Sequence, residues 1–331
     1  MKLESGNFID DLYRWYNAYS NQMKALSYSK NTIELYSRAI NNFIEYSLQY
    51  QDEVTLAEVK SIYITGYLAY LDNEAKLNGV KIKNGNHLSK STKQTYLKAI
   101  RGFFTFISDN NDELYTFERF FKNIKVADSS KVEEKLIYLS EDEIGRLLNQ
   151  LMKDKKTKSD YGSYRDSLLV KLMLYGGLRI SEALGVCLDN FKEGQGDNMY
   201  SIHIYGKGGK DQIAYINKTV IENELDYFIN EADLNISDPI MKTGSGLPLR
   251  RDNSLQIVNS IYKRAMIPKT GLHILRHTLA MRLTKEDVNP IVIQKILRHS
   301  NLNTTTIYAK ATEESVEKAL CPILGSLGGV K

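Results

Sequence analysis

The chain has very few cysteines: among its 331 residues, only Cys187 and Cys321 carry thiols. Two thiols so far apart in sequence form neither a disulfide framework nor a CxxC metal-binding pattern, and they fit a reducing compartment. Long apolar runs are also missing, which excludes a helix that crosses a bilayer. Near the start of the chain Glu4, Asp10 and Asp11 interrupt any apolar run of the kind found in a signal peptide. We therefore expect a cytoplasmic protein without a membrane partner.

Acidic residues are absent from the stretch Lys76 to Arg101, which contains seven basic residues. A second stretch, Lys242 to Lys285, has nine basic residues and a single acid, Asp252. The net charge is only +4, so the distribution of charge is more informative than its sum. Two basic tracts in different parts of the chain predict a polyanionic partner, and solvated helix faces are the alternative interpretation.

A weak internal repeat occupies the N-terminal third. The segment YSKNTIELYSRAINNFIEY, from Tyr28 to Tyr46, aligns with LSKSTKQTYLKAIRGFFTF, from Leu88 to Phe106, at an offset of 60 residues. Each copy opens with serine and threonine, which suits a helix N-cap, and then places Tyr, Ile and Phe at helical spacing. Helix starts of this kind are natural phosphate contacts, although a helical bundle that uses the same cap twice would give the same pattern.

The remaining patterns divide the chain into two domains. A further helix is expected at roughly Thr55 to Leu71, so residues 1–122 are predicted to form a helical domain. The polar segment 123–136 is predicted to be a linker. Ser140 followed by Glu143 has the form of a capping box that opens a new helix, and a second domain is predicted over 137–331.

The second domain is predicted to be mainly helical, with one pair of strands. The strands are Ser201 to Tyr205 and Gln212 to Ile216, joined by the glycine-rich loop GKGGKD. Helices are expected at Tyr161 to Leu174, Ser254 to Ala265, Leu272 to Leu283, Ile291 to Leu297 and Thr312 to Leu320. In the third of these, the apolar stripe Leu272, Leu275, Leu279 and Leu283 shares a helix with cationic and titratable groups.

Four separated segments carry side chains suited to chemistry on phosphate. They are YGGLRISEAL with Arg179, the hairpin loop with Lys207 and Lys210, HILRH with His273 and Arg276, and ILRHSNLNTTTIYAK with His299 and Tyr308. Each alone has a simpler interpretation. Arg179 could form a surface ion pair with Glu182, and His273 and His277, at i and i+4, could bind zinc. Zinc is disfavoured because no glutamate follows the first histidine and no third ligand is obvious.

Together and in this order, these segments resemble the tyrosine recombinase family. Its signature is Arg, Lys, His-x-x-Arg, His and a tyrosine nucleophile near the C-terminus. The resemblance covers Ile137 to about Leu320 by motif and Met1 to Phe121 by layout, and it is closest to the Xer branch. It maps the catalytic set onto Arg179, Lys207, His273, Arg276, His299 and Tyr308. Two departures from the pattern leave the chemistry intact: Arg298, where many relatives have glycine, and Ala309-Lys310, where many have Thr-His.

The resemblance implies a mainly α, two-domain tyrosine-recombinase fold. An N-terminal helical core-binding domain, a SAM-like bundle, would precede a C-terminal α+β catalytic domain with a small antiparallel sheet. It further implies a 3′-phosphotyrosyl intermediate and strand exchange through a Holliday junction, without a cofactor or a metal.

The chemistry gives each member of the set a role. Two guanidinium groups, Arg179 and Arg276, could hold the non-bridging oxygens as negative charge develops in the transition state. A tyrosine phenol has an unperturbed pKa of about 10 and needs a base or a cationic setting, and His273 is the candidate base for Tyr308. His299 would donate to a phosphate oxygen. Lys207 is preferred over Lys210 as the acid that protonates the leaving 5′ oxygen. His277 is interpreted as structural.

The expected partner is double-stranded DNA that carries a specific site, expected to be an inverted repeat. The residues expected to contact it outside the catalytic set are Lys30, Lys90, Lys93, Arg101 and Lys210. A C-terminal apolar stripe, Leu320, Ile323, Leu324 and Leu327, is expected to join protomers into a tetramer on two duplexes. The alternative is that the stripe packs onto its own domain. Two other functions fit less well: a type IB topoisomerase and a non-catalytic DNA-binding protein of the same fold.

Overall fold

The structure of the chain is a computed structural model. It describes residues 1–50, 54–77, 88–122, 124, 126, 137–196, 198–205, 211–232 and 234–298. Two compact units divide the chain, Met1–Glu133 and Glu134–Lys331. None of the helices in the described ranges is long and apolar enough to cross a membrane.

The first unit contains five α-helices in its described residues: α1 Phe8–Ala25, α2 Lys30–Ser47, α3 Ser61–Leu77, α4 Lys90–Asn110 and α5 Glu118–Lys122. Its core is rich in aromatic rings. Phe43 lies edge-on against Tyr67 at 5.2 Å and against Phe104 at 5.7 Å, so α2, α3 and α4 share one aromatic cluster. Trp15 of α1 is fully buried, and its indole N–H donates to the carbonyl of Leu3.

The internal repeat corresponds to α2 and α4. The hydroxyl of Ser29 accepts from the backbone N–H of Thr32 at 3.2 Å, and Ser89 accepts from Thr92 at 3.1 Å. Both predicted N-caps are therefore confirmed. The helix expected from Thr55 begins later, at Ser61, because Thr55 precedes a short 3-10 turn, Leu56–Glu58, in which Glu58 bonds back to the N–H of Thr55.

The second unit adds seven helices and one sheet in its described part. The helices are α6 Glu141–Lys158, α7 Tyr161–Leu174, α8 Ile180–Leu184, α9 Lys218–Asn230, α10 Arg251–Arg264, α11 His273–Lys285 and α12 Pro290–Leu297. The predicted capping box at Ser140 is confirmed: its hydroxyl accepts from the N–H of Glu143, and its own N–H donates to the Glu143 carboxylate. The fully buried middle of α7 lies at the centre of the core.

Three antiparallel strands follow α8 in the order β1-β2-β3, with β1 Phe191–Glu193, β2 Met199–Tyr205 and β3 Asp211–Asn217. The predicted strand pair is confirmed as β2 and β3, whose register sets Ile202 opposite Ala214 and Tyr205 opposite Asp211. The predicted fold class, mainly helical with a small antiparallel sheet, is thereby confirmed. The hairpin loop that carries Lys207 and Lys210 lies outside the described residues, as does the helix expected at Thr312 to Leu320.

Candidate active site

Helix α11 supplies two of the predicted catalytic side chains. Leu272 and Leu275 of its apolar stripe are buried in the core of the unit, and Leu279 and Leu283 are partly buried against α12. Arg276 is also buried, with only 6% of its surface exposed, whereas His273 at the first position of the helix is exposed. A buried guanidinium requires partners in the protein, because an unpaired charge in the interior is costly.

The guanidinium of Arg276 donates hydrogen bonds to two backbone carbonyls, one from a segment before α11 in the chain and one from a segment after it. Its Nη1 donates to the carbonyl of Gly177, in the loop between α7 and α8, and its Nη2 donates to the carbonyl of Leu297, at the end of α12. A guanidinium has several N–H donors in a fixed plane, so these two anchors also fix its orientation. Arg276 thus joins three segments of the chain at one point.

Gly177 must be glycine for two reasons. Its φ of +60° lies in the left-handed region, which favours residues without a Cβ. A Cβ at this position would also meet Leu279 Cδ2 at 2.9 Å and Leu297 Cδ2 at 3.1 Å. The loop can therefore approach α11 and α12 closely, and its carbonyl comes within reach of Arg276.

Arg179 stands at the start of α8 and is tied to the end of α12. Its Nη2 donates to the carbonyl of Arg298 at 2.6 Å. The carbonyls that anchor Arg276 and Arg179 therefore belong to consecutive residues, Leu297 and Arg298. Two arginines separated by almost a hundred residues in sequence meet at this one turn. The side chain of Arg179 keeps 38% of its surface exposed, so it is anchored and still open to a ligand.

Glu182 holds the other side of the Arg179 guanidinium. Its Oε1 accepts from Arg179 Nη1 at 2.6 Å, and its Oε2 accepts from the Arg179 backbone N–H at 2.9 Å. The pair anticipated between these residues exists, but it is not a surface pair, since the side chain of Glu182 is only 5% exposed. Burial acts to raise the pKa of Glu182, yet the Arg298 charge and the hydrogen bonds from Arg179 outweigh it and lower the pKa.

Arg298 is the third guanidinium of this cluster. Its Nη2 donates to Glu182 Oε2 and to the carbonyl of Gly177, both at 2.9 Å, and its side chain is only 5% exposed. Its backbone caps α12 in the left-handed conformation, with φ +52°. The sequence revealed only a departure from the family pattern at this position. Its link to Glu182 depends on tertiary structure and carries no local sequence signal.

The two histidines of α11 lie one turn apart, with ring centroids separated by 6.4 Å. Desolvation, with the charges of Arg251 and Arg276, lowers the pKa of His273 below its ordinary 6.5. Desolvation, with His273 and Arg276, lowers that of His277 in the same way. Both rings are therefore neutral at pH 7, which is the form in which a histidine accepts a proton.

Three of the six predicted catalytic residues, Arg179, His273 and Arg276, lie in the described part of the structure. Lys207, His299 and Tyr308 lie outside it, and Lys210 does too. The described strands end on either side of the two lysines: β2 ends at Tyr205 and β3 starts at Asp211. His299 directly follows Arg298.

The predicted DNA contacts of the first unit differ in their surroundings. Lys30, at the start of α2, has a side chain 89% exposed and forms a loose pair with Glu34 at 4.0 Å. Lys93 pairs with the buried carboxylate of Asp72 at 2.7 Å, and Arg101 donates to the carbonyl of Phe121. The sequence did not reveal these internal partners, because they come from elements distant along the chain.

Comparison with known proteins agrees with this geometry. The model of the phage integrase family matches residues 138–315, more than half of the chain. The chain belongs to the phage integrase family. A phage integrase SAM-like domain model matches residues 11–106 of the same chain. The predicted resemblance is therefore confirmed, and this integrase-family chain has the two-part composition expected from its sequence.

Curated relatives of this integrase-family chain are named as Xer tyrosine recombinases. Tyrosine recombinase XerH of Helicobacter pylori is 29% identical over 281 residues, covering 82% of this chain and 71% of the relative. XerH of Campylobacter jejuni is 27% identical over 242 residues, covering 70% of this chain and 65% of the relative. XerD of Oceanobacillus iheyensis is 26% identical over 296 residues, covering 86% of this chain and 89% of the relative.

Solved structures share the fold. The structure of the XerH site-specific recombinase bound to its difH substrate in a pre-cleavage complex is similar with a TM-score of 0.76 at 22% identity, covering 96% of this chain and 98% of that one. A post-cleavage complex of XerH with a palindromic difH substrate gives a TM-score of 0.79 at the same identity and coverage. At this level of identity, the likeness supports the tyrosine-recombinase fold.

Proposed function

We propose that this chain is a Xer-type site-specific recombinase, which cuts and rejoins DNA strands through a 3′-phosphotyrosyl intermediate. The observation that carries the proposal is the convergence of Arg179 and Arg276 on the consecutive carbonyls of Leu297 and Arg298. His299, the next residue along the chain, is proposed to act with these two guanidinium groups. Fixed cations at one point are what stabilisation of an anionic phosphoryl transition state requires.

In the cleavage step, the phenol oxygen of Tyr308 attacks the phosphorus and forms a new P–O bond. The phenol proton goes to His273, which is neutral at pH 7 because its pKa is lowered. The bond from phosphorus to the 5′ oxygen breaks, and Lys207 gives that oxygen a proton. Arg179, Arg276 and His299 stabilise the charge on the non-bridging oxygens. Because the phosphotyrosyl ester retains the bond energy, attack by the 5′ hydroxyl of a partner strand rejoins the DNA without an added energy source.

Capture of covalent complexes from genomic DNA tests the function. The protein is incubated with the DNA, denatured with detergent and recovered, and the attached DNA is sequenced. A recombinase should give adducts at one or a few sites with inverted-repeat arms. Adducts spread over many unrelated sequences would favour the topoisomerase alternative, and no adducts at all would favour a non-catalytic DNA-binding protein.

The basic start of each repeated helix is proposed to contact the DNA backbone. We expect Lys30→Ala and Lys90→Ala each to weaken binding to every DNA sequence and to reduce the slope of log K against log salt by about one unit, as loss of one phosphate contact does. Fluorescence anisotropy over a salt titration measures this slope. Lys93→Ala is a less direct probe, because it also removes the ion-pair partner of the buried Asp72 carboxylate.

Lys2→Ala is the matched control for the salt titration. Lys2 is exposed, and its neighbours Met1 and Leu3 bond to Asn110 and Glu113, so it lies at the end of α4 opposite Lys90. Its removal changes the net charge by the same amount without touching either helix start. If all three variants lower the slope equally, general charge and not the repeated helix starts determines binding.

We further propose that the C-terminal apolar stripe docks on a neighbouring protomer and assembles a tetramer. The stripe lies outside the described residues, and the proposal is supported by its spacing and the Xer resemblance. Deletion of residues 320–331 should leave binding to a single half-site within about threefold, while cooperative filling of two half-sites falls and recombination is lost. Gel shifts measure half-site binding and cooperativity, and a thermal melt measures the stability of the monomer. Intact cooperativity with a lowered melting temperature would show instead that the stripe covers its own domain.

A further inference from the structure

Arg298 is an unfavourable residue for its position in three respects. It adopts a φ of +52° at the C-cap of α12, where a residue without a Cβ is favoured. It buries a guanidinium, and burial lowers the pKa of that group. Among the described residues, its Nε–H has no hydrogen-bond partner. Glycine would avoid all three penalties, so the cost of the arginine side chain points to a function for it.

The contacts of Arg298 suggest what that function is. Its guanidinium donates to the carboxylate of Glu182, which also accepts a hydrogen bond from Arg179. It also shares the Gly177 carbonyl with Arg276, and its own carbonyl accepts from Arg179. Arg298 thus touches the anchors of both arginines that are proposed to bind phosphate.

The charges of the cluster explain how Arg298 would favour the binding of an anionic group by Arg179 and Arg276. Glu182 orients Arg179, but its negative charge also offsets one of the two positive charges offered by Arg179 and Arg276. Arg298 supplies a third positive charge in contact with the same carboxylate. A pair formed at low exposure is weakly screened, so this compensation is effective at the position of the phosphate.

We propose that Arg298 is a positioning residue: it neutralises Glu182, so that Arg179 is held in place by the carboxylate while the cluster keeps the positive charge that an anionic transition state requires. The inference rests on the proposed recombinase function. The side chain of Arg298 is almost completely buried, and the residue acts through Glu182, Gly177 and its own carbonyl. It differs from the catalytic set in that no contact with the reacting atoms is assigned to it.

Three substitutions separate charge from backbone effects. Arg298→Lys keeps the charge, and Arg298→Met keeps the stem and the left-handed strain without the charge. Arg298→Gly relieves the strain and removes the whole side chain. Each is compared with the parent for covalent adduct formation on a nicked duplex derived from a captured site, for half-site affinity and for melting temperature. Cleavage is assayed well below the melting temperature of every variant.

We expect the methionine and glycine variants to cleave about 10- to 100-fold more slowly than the parent, a loss of the size seen when the partner that orients a metal-binding side chain is removed. The lysine variant should stay within about fivefold, and half-site affinity should change by less than about threefold in all three. Because Arg298 acts through Glu182, Arg298→Met combined with Glu182→Gln should lose less than the product of the two single losses.

Arg165→Met is the matched structural control. Arg165 is another buried arginine, paired with Asp166 at 2.6 Å and bonded to the carbonyl of Lys242, so its loss should lower the melting temperature and leave cleavage intact. The inference is overturned if glycine at 298 cleaves like the parent, if methionine and lysine cleave equally, or if Arg165→Met loses cleavage as Arg298→Met does. A parent protein that forms no adduct would overturn the proposed function itself, and this inference with it.

Discussion

Tyr308→Phe should abolish formation of the covalent protein–DNA adduct while leaving DNA affinity within about twofold. The substitution removes one oxygen atom, which is the proposed nucleophile, and leaves the ring in place. Tyr308 is the only tyrosine between His299 and Lys310. No neighbouring phenol in that segment can therefore replace it. The measurement is a denaturing gel of a nicked suicide substrate, in which the cut strand diffuses away and the adduct accumulates.

Tyr200→Phe is the control for this experiment. Tyr200 lies in β2, paired with Ile216 of β3 and edge-on to Phe191, so it shares the chemistry of the phenol without a proposed role in cleavage. Its variant should form the adduct at the rate of the parent. A covalent band from Tyr308→Phe would mean that another residue is the nucleophile, and the assignment of the whole C-terminal motif would fail.

The sequence predicted well those helices whose ends are determined by nearby residues, such as capping side chains and glycines. Helix α7 was expected at Tyr161 to Leu174 and has those bounds, because the Asp160 carboxylate caps its start and the Gly176-Gly177 pair follows its end. The serine caps of α2, α4 and α6 were likewise visible in the sequence, since a capping bond spans only three residues.

Elements that depend on distant partners were missed or misplaced. Strand β1 has only three residues and exists because Phe191 pairs with Ile202 of β2. Helix α1 was not among the expected elements, although its Trp15 and Leu12 are fully buried against the rest of the first unit. Lys93 was predicted to contact DNA, but its ammonium pairs with Asp72 and so joins the start of α4 to α3.

In the candidate site, too, the residues could be predicted from the sequence, whereas their contacts with distant parts of the chain could not. The order of Arg179, His273 and Arg276 along the chain, together with the family pattern, was enough to predict their shared role. What the sequence could not supply was the means of holding them: the carbonyl of a left-handed glycine, two consecutive carbonyls at the end of α12, and a carboxylate shared by Arg179 and Arg298. Most of these links join segments about a hundred residues apart, and the bond from Arg276 to Leu297 spans 21 residues.

Arg276→Ala should slow strand cleavage by at least roughly 10²-fold, the loss expected when one donor to a developing oxyanion is removed. Arg276→Lys should fall nearly as far. A lysine ammonium keeps the charge, but it cannot reproduce the planar fork that bonds to the carbonyls of Gly177 and Leu297. Single-turnover cleavage at saturating protein measures the chemical step apart from binding.

Effects on folding must be measured apart from effects on cleavage, because Arg276 is buried and its loss removes the guanidinium donor to the Leu297 carbonyl and leaves Arg298 as the guanidinium donor to the Gly177 carbonyl. Half-site affinity and the melting temperature are therefore measured for both variants, and cleavage is compared only where each variant is folded and DNA is saturating. Thr278→Val is the matched control in the same helix: it deletes a buried hydroxyl that accepts from the N–H of Leu139, so it should lower stability without slowing cleavage. If Arg276→Lys cleaves like the parent, positive charge alone is sufficient, and the fixed geometry of the two carbonyl anchors has no part in catalysis.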